Sequence, residues 1–142
     1  MLSRAADCRD RCYGIIDKDI LVNFGFFSRH PAPLLGDLEV HFDHAYWYMY
    51  GGWTAAEYRG RRLHGRGVLG GSLEILEGGA TALVTVTEWT HYPSIISSLR
   101  MGWQPSGKLV CLGSGPRRMF FATKKAKALG MCFEPREKGG ST

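Results

Sequence analysis

The chain has 142 residues, of which 44% are hydrophobic, 12% aromatic and 22% charged. A chain of this length forms one compact domain by default, and this composition excludes a globally disordered, collagen-like or coiled-coil protein. Lysine and arginine exceed aspartate and glutamate by 18 − 13 = 5, so the protein is moderately basic and attracts phosphate-bearing partners of several kinds. We therefore expect a single domain over residues 1–142.

Two features of the sequence bear on location and redox state. No apolar run approaches the ~18 residues that a membrane-spanning helix needs, and the charged start MLSRAADCRDRC does not resemble a signal peptide, so a cytoplasmic location is predicted. The cysteines lack zinc-finger spacing, and a chain of this length can bury a core without disulfides. We therefore expect reduced thiols and no metal at Cys8, Cys12, Cys111 and Cys132.

Residues 12–54 have the pattern of β structure. Hydrophobic and aromatic runs at 15–16, 20–27, 38–42 and 45–53 are separated by charged or turn-forming residues. They predict successive antiparallel strands joined by short turns. In the last run, the Gly51-Gly52 pair indicates a β-bulge or the close approach of another group.

The remainder predicts a βαβ unit followed by smaller elements. Leu63 to Glu77 has near-helical apolar spacing and ends at a glycine pair, and the β-branched run from Ala80 to Trp89 predicts a buried strand. A short helix with Pro93 in its first turn, a hairpin from 108–112 and 119–123, and a weakly periodic tail over 124–142 follow. The fold class is therefore α+β, with a mostly antiparallel sheet and a central βαβ unit.

The most informative segment is YRGRRLHGRG at residues 58–67, between the aromatic strand and the predicted helix. It carries four arginines and no acidic residue. A helix N-terminus offers unpaired N–H groups and the positive end of a dipole, and glycines allow a ligand to approach the backbone. The segment is a candidate phosphate site, although a solvent-exposed basic turn explains its residue types equally well.

Two familiar nucleotide patterns fit poorly. The glycines of GxGxxG at residues 65–70 begin about ten residues after the strand, whereas a dinucleotide site needs them at the strand-to-helix turn. GWQPSGKL at residues 102–109 nearly spells a Walker A loop, but Leu109 replaces the Mg²⁺-binding Ser/Thr and a strand follows. We give little weight to the first pattern and reject the second.

The order of aromatic strand, basic loop, helix, strand and short helix resembles the GCN5-related N-acetyltransferase (GNAT) family over about residues 38–112. RGRRLH at 59–64 stands at that family's pyrophosphate loop, Arg/Gln-x-x-Gly-x-Gly/Ala, with Arg62 and His64 replacing the small residues. HYPS at 91–94 and Gly102-Trp103 stand at its later signature, Asn-x-x-Ser/Ala followed by Gly-Phe. The resemblance implies a twisted GNAT-like sheet whose N-terminal helices are short or absent.

The resemblance also implies a ligand. Acetyl-CoA, or another acyl-CoA, would be the co-substrate, its pantetheine pairing with the backbone at Gly52 to Thr54 while Arg59 to Gly65 cradles the pyrophosphate. The residues assigned to this cofactor by resemblance are Trp53, Thr54, Arg59, Gly60, Arg61, Arg62, Leu63, His64, Gly65, His91 and Ser94.

The resemblance identifies no catalytic residue. Ser98 stands where many members carry a tyrosine that protonates the leaving thiolate, and a serine hydroxyl is a poor acid. Candidates for the base that deprotonates the amine, each more typical of a surface or capping residue, are Glu88, His91, His41 and Glu39.

The leading hypothesis is an acyl-CoA-dependent N-acyltransferase that transfers an acetyl group to an unidentified amine by direct attack. The alternative is a GNAT-like domain that binds CoA or a partner without turnover, which Ser98 and the short N-terminal half favour. A further alternative is nucleic-acid binding through the loop and the basic residues of 117–125. It is weaker because the sequence contains no RNA- or DNA-binding motif. A homodimer is a further expectation, because pairing between copies would complete a shortened sheet.

Overall fold

The computed structural model describes Ala5 and residues 9–34, 36–113 and 115–136. Predictions about Cys8, about Ser114 in the hairpin turn and about tail residues 137–142 fall outside the described residues. The strands within the described ranges are β1 (Arg11–Asp17), β2 (Ile20–Ser28), β3 (Ala32–Pro33), β4 (Leu38–His41), β5 (Tyr46–Thr54), β6 (Ala82–Val84), β7 (Leu109–Leu112), β8 (Met119–Ala122) and β9 (Cys132–Pro135). The helices there are α1 (Leu63–Glu77), α2 (Tyr92–Arg100) and α3 (Lys124–Ala128).

The chain divides into two compact units, Met1–Arg29 with His44–Gln104 and His30–Asp43 with Pro105–Thr142. The first unit contains a four-stranded sheet in the order β1-β2-β5-β6. Its first three strands are antiparallel neighbours, whereas β5 and β6 are parallel and α1 connects them. The mostly antiparallel sheet with a central βαβ unit is therefore confirmed.

Helix α1 covers this sheet and spans the residues predicted from the sequence. Val68 and Ile75 on its inner face form a buried cluster with Phe27 of β2 and Met49 of β5. Burying such side chains contributes roughly 1.5–3 kcal/mol each, which is the main reason that a glycine-rich helix is stable here.

The glycines of α1 make room for side chains that rise from the sheet. A Cβ atom on Gly67 would lie 2.6 Å from Cε2 of Tyr13, and one on Gly71 would lie 2.6 Å from Cε2 of Phe27. A Cβ atom on Gly70, by contrast, would meet nothing within 4 Å. Packing against the sheet thus explains two glycines of this helix without any bound dinucleotide.

The second unit contains the remaining strands. Its three-stranded sheet has the order β3-β4-β9, and β7 and β8 form the hairpin that the sequence predicts. Arg118 beside that hairpin donates two hydrogen bonds to the carboxylate of Asp37, at 2.7 and 2.6 Å.

Three predictions about the strands need correction. Residues 38–42 do not lie between the neighbouring runs in one antiparallel series: β2 pairs directly with β5, and β4 pairs with β3 and β9. The strand predicted over 80–89 is confined to Ala82–Val84, and the tail from Lys124 contains α3 and β9. The pairing and the extent of a strand depend on which backbone segment lies beside it. Local hydrophobicity does not reveal that neighbouring segment.

Other predictions concern α2, the thiols and membrane spans. α2 begins at Tyr92, one residue before Pro93, and the chain turns at Gly102 with φ +88°. Cys12, Cys111 and Cys132 are free thiols, and burial raises the pKa of Cys12 and of Cys132. Within the described part of the chain, no helix has the length and apolar character needed to cross a bilayer.

Candidate functional site

Strand β5 separates from β6 soon after the two strands meet. Their ladder consists of Tyr46↔Ala82, Trp47↔Leu83 and Tyr48↔Val84. One further contact follows, in which Oγ1 of Thr85 donates a 3.0 Å hydrogen bond to the Met49 carbonyl. Beyond it, no strand of the described residues pairs with this edge of β5, so the second half of the strand presents an open backbone edge.

A β-bulge lies in that open half. The register with β2 passes from Phe26↔Tyr50 to Phe24↔Trp53, which places one extra residue in β5. Gly51 accommodates the bulge with a φ of +64°, a left-handed conformation that glycine adopts without strain. The bulge predicted from the glycine pair is therefore confirmed.

The buried Asn23 on β2 fixes the end of β5 from the opposite edge. Its Nδ2 donates hydrogen bonds to the Trp53 carbonyl at 2.7 Å and to Oγ1 of Thr54 at 2.8 Å. Asn23 is fully buried, and its Oδ1 has no hydrogen-bond partner among the described residues. Sequence reasoning missed this residue, although a single amide within the apolar run ILVNFGFF is a signal that could have found it.

We expect Asn23→Ala to destabilise the protein by about 1–2 kcal/mol, because the substitution removes both hydrogen bonds that the buried amide donates to the end of β5. Urea unfolding monitored by tryptophan fluorescence measures this change. Thr54→Val is the matched control, since it removes one of the two bonds and should cost less than half as much. Equal stability of Asn23→Ala and the wild type would contradict the assigned role.

The basic loop follows β5 through a short 3-10 turn, Ala56–Tyr58. The Tyr58 hydroxyl donates a 2.9 Å hydrogen bond to the carboxylate of Asp17, and this bond raises the pKa of Tyr58. The guanidinium carbon of Arg61 lies 4.8 Å from the centre of the Tyr58 ring. Asp17, at the end of β1, thus anchors the loop, a role that nothing in the sequence indicated.

At the C-terminal end of the loop, α1 starts without a side-chain cap. Arg62 precedes the helix with φ +58°, and its side chain makes no capping hydrogen bond. Among the described residues, Arg59, Arg61 and Arg62 form no ion pair. The loop therefore combines three exposed, unneutralised guanidinium groups with the positive end of a helix, an arrangement suited to an oxyanion.

The loop also contacts the open part of β5. Nε of Arg59 lies 3.4 Å from the Thr54 carbonyl, and a Cβ atom on Gly52 would lie 2.9 Å from Cε1 of His64. The Trp53 and Thr54 carbonyls thus each accept a hydrogen bond from a side chain. The ring of His64 fills space beside Gly52, where a smaller residue would leave a gap.

We expect His64 to give the stability a pH dependence. Burial of its ring lowers its pKa below the ordinary 6.5, so the unfolded chain binds a proton that the folded chain does not. The free energy of unfolding should therefore fall as the pH drops below about 6.5. Urea unfolding at about pH 7.5 and pH 5.5 should show a smaller loss for His64→Gln than for the wild type. Equal losses in the two proteins would contradict this.

Two of the predicted cofactor residues, His91 and Ser94, lie elsewhere, at the N-terminal end of α2. Oγ of Ser94 and Nδ1 of His91 are 2.9 Å apart at the start of this helix. Its other end approaches α1, where a Cβ atom on Gly65 would lie 3.3 Å from Sδ of Met101. Since nine helical residues span about 13 Å, His91 and Ser94 lie at the far end of α2 from this contact. The structure places the other predicted residues on the end of β5, in the adjoining loop and in the first turn of α1.

The candidate bases belong to both units. Glu88 accepts a 2.9 Å hydrogen bond from Thr90, whereas Glu39 and His41 form a 2.9 Å contact with each other in the second unit. No three His, Cys, Asp or Glu residues of the described chain are grouped as metal ligands.

Comparison with known proteins gives similarity at the level of structure. No protein-family model and no curated protein matches the chain. The aminoglycoside N-acetyltransferase AAC(6')-Iy in complex with CoA matches 80% of this chain and 85% of its own, with a TM-score of 0.64 at 9% identity. An N-acetyltransferase from Staphylococcus aureus Mu50 matches 93% of this chain and 70% of its own, with a TM-score of 0.60 at 10% identity. At such identities these matches demonstrate a shared fold alone.

A third solved structure shows a similar degree of structural similarity to this chain. The apo form of AAC(6')-IG, an aminoglycoside 6'-N-acetyltransferase from Acinetobacter haemolyticus, matches 80% of this chain and 79% of its own, with a TM-score of 0.59 at 10% identity.

Proposed function

Since the fold is that of the GCN5-related N-acetyltransferases, we propose that the chain binds an acyl-coenzyme A and transfers its acyl group, an acetyl group by preference, to an amine. The observation that carries this proposal is the open edge of β5 beside an uncapped, arginine-rich helix N-terminus. An extended amide-bearing chain needs the first feature, and a pyrophosphate needs the second.

The residues present suit this ligand. The charge for a pyrophosphate comes from Arg59, Arg61 and Arg62. No side chain caps the first N–H groups of α1, from Leu63 to Gly65, so a ligand could bind them without displacing a protein group. Along β5, the edge beyond Met49, with which no strand of the described residues pairs, supplies backbone groups for the amides of pantetheine. Because the Trp53 and Thr54 carbonyls already accept hydrogen bonds, we assign backbone pairing mainly to the groups around Gly52.

The chemistry proposed for this site is direct acyl transfer. The lone pair of a neutral amine attacks the thioester carbonyl carbon, the C–N bond forms, and the C–S bond breaks. The amine loses one proton and the departing thiolate gains one, so the products are an amide and free CoA. The protein's contribution is to hold the two reactants together and to exclude water, which supplies much of the rate gain in reactions of this kind.

Isothermal titration with acetyl-CoA, with ATP and NAD as controls, tests the binding half of this proposal. We expect micromolar affinity for acetyl-CoA and at least about tenfold weaker binding of both controls. Equal weak binding of all three would reduce the loop to a basic surface and refute the proposal. Release of free thiol from acetyl-CoA in the presence of amines, aminoglycosides included, tests the transfer half.

A CoA-binding domain without turnover is the second candidate. The observation that favours it is Ser98, which occupies the position at which the resemblance leads one to expect a tyrosine acid. A serine hydroxyl has too high a pKa to protonate a thiolate efficiently. Tight CoA binding without thiol release for any amine would select this second function.

Nucleic-acid binding has less support than the sequence alone suggested. Arg118, one of the basic residues of the second unit, is held by the carboxylate of Asp37 through two hydrogen bonds. A guanidinium so engaged is not available to a phosphate.

A cytoplasmic location stays a prediction from the sequence.

A further inference from the structure

Helix α1 has a second apolar face that the fold leaves uncovered. Leu69, Leu73 and Leu76 are 61%, 52% and 42% exposed, whereas Val68 and Ile75 on the inner face are buried against the sheet. At about 100° per residue, the three leucines fall within an arc of roughly 60°. They form one continuous stripe, called here the leucine stripe, about 10 Å long on the outside of the helix. Uncovered stripes of this kind are typical of association surfaces.

The charges beside the stripe have a specific arrangement. Arg66 lies toward its N-terminal end and Glu77 toward its C-terminal end, and both fall on the same flank, within about 80° of Leu69. Both side chains are exposed, and neither has an ion-pair partner among the described residues. Glu74, one turn before the helix end, is by contrast already paired with Arg11 at 3.0 Å.

We propose that this face binds a second copy of the same chain, with the two α1 helices antiparallel across a two-fold axis near Leu73. This arrangement places Leu69 of each protomer against Leu76 of its partner. Residues on the same flank face each other in an antiparallel helix pair, so Arg66 of each protomer also comes within reach of Glu77 of its partner. In this orientation the leucine stripe and the flanking charges of one protomer match those of the other. The antiparallel helix dipoles also attract each other.

Analytical ultracentrifugation of the full chain tests the proposal. We expect a reversible dimer with a micromolar Kd and a monomer for Leu73→Glu, whose carboxylate would be buried against apolar side chains. Ile20→Glu is the matched control, since Ile20 is 60% exposed at the start of β2 and lies outside the proposed interface; this variant should remain a dimer. A monomeric wild type up to about 0.1 mM, or a dimer that Ile20→Glu disrupts and Leu73→Glu does not, would overturn the proposal.

A charge exchange tests the orientation with surface substitutions that leave the leucines intact. Arg66→Glu should weaken the dimer about tenfold, because it places two carboxylates together at both ends of the interface. Combining it with Glu77→Arg should restore the affinity to within about threefold of the wild type. Failure of the second substitution to rescue the first would exclude the antiparallel arrangement. Circular dichroism of each variant distinguishes loss of dimer from loss of fold.

Discussion

Replacing Arg59 and Arg62 by glutamate should weaken acetyl-CoA binding by at least about a hundredfold. Each hydrogen bond to a charged group contributes roughly 1.5–3 kcal/mol, and each glutamate adds repulsion to the loss. The melting temperature should barely change, because both side chains are exposed and neither is in an ion pair among the described residues. Isothermal titration and thermal unfolding measure the two quantities on the same preparation.

The control for this pair of substitutions is Lys124→Glu with Lys125→Glu. It changes the net charge by the same amount at exposed positions of α3, in the second unit. If phosphate recognition belongs to the loop, this control should bind acetyl-CoA nearly as the wild type does. A similar loss in both double variants would show that only overall charge matters, and a loop variant that still binds would refute the phosphate assignment.

The double substitution Gly67→Ala with Gly71→Ala should destabilise the protein by about 2–4 kcal/mol. The added methyl groups would lie 2.6 Å from ring atoms of Tyr13, which is partly buried, and of Phe27, which is buried. Overpacking of this kind costs about 1–3 kcal/mol per site, which exceeds the gain of up to about 1 kcal/mol from replacing a helical glycine. Urea or thermal unfolding measures the difference.

Gly70→Ala in the same helix is the matched control and has the opposite expected sign. A Cβ atom there meets nothing within 4 Å, so the substitution should raise the free energy of unfolding by about 0.5–1 kcal/mol through helix propensity alone. If all three glycines behaved alike, the packing account of Gly67 and Gly71 would be wrong.

The sequence predicted most accurately those features that depend on nearby residues. The range Leu63–Glu77 was predicted for α1 because apolar spacing marks its body and Gly78-Gly79 its end. The bulge at Gly51 was predictable because glycine is the residue that adopts a positive φ without strain. The fold class followed from the order of such elements, and the structural comparisons support it.

Features that depend on distant residues were not predictable in the same way. β4 pairs with β9, so Val40 lies opposite Phe133, and no local signal links two segments so far apart in the chain. The anchoring of the loop by Asp17 has the same character, because an aspartate next to a hairpin turn is common for reasons of turn geometry alone. The candidate site thus combines a loop that the sequence marks clearly with supports that only the tertiary structure reveals.

The separation of β5 from β6 has a consequence for the isotopic exchange of backbone amides. N–H groups of β5 that bond β2 are protected by the sheet, whereas those beyond Tyr48 on the other edge have no strand beside them. In deuterated buffer the second group should exchange at least about tenfold faster than the first. The amides on one edge of β5 would then exchange slowly and those on the other edge rapidly. A ligand that pairs with the rapidly exchanging edge would remove the difference in rate.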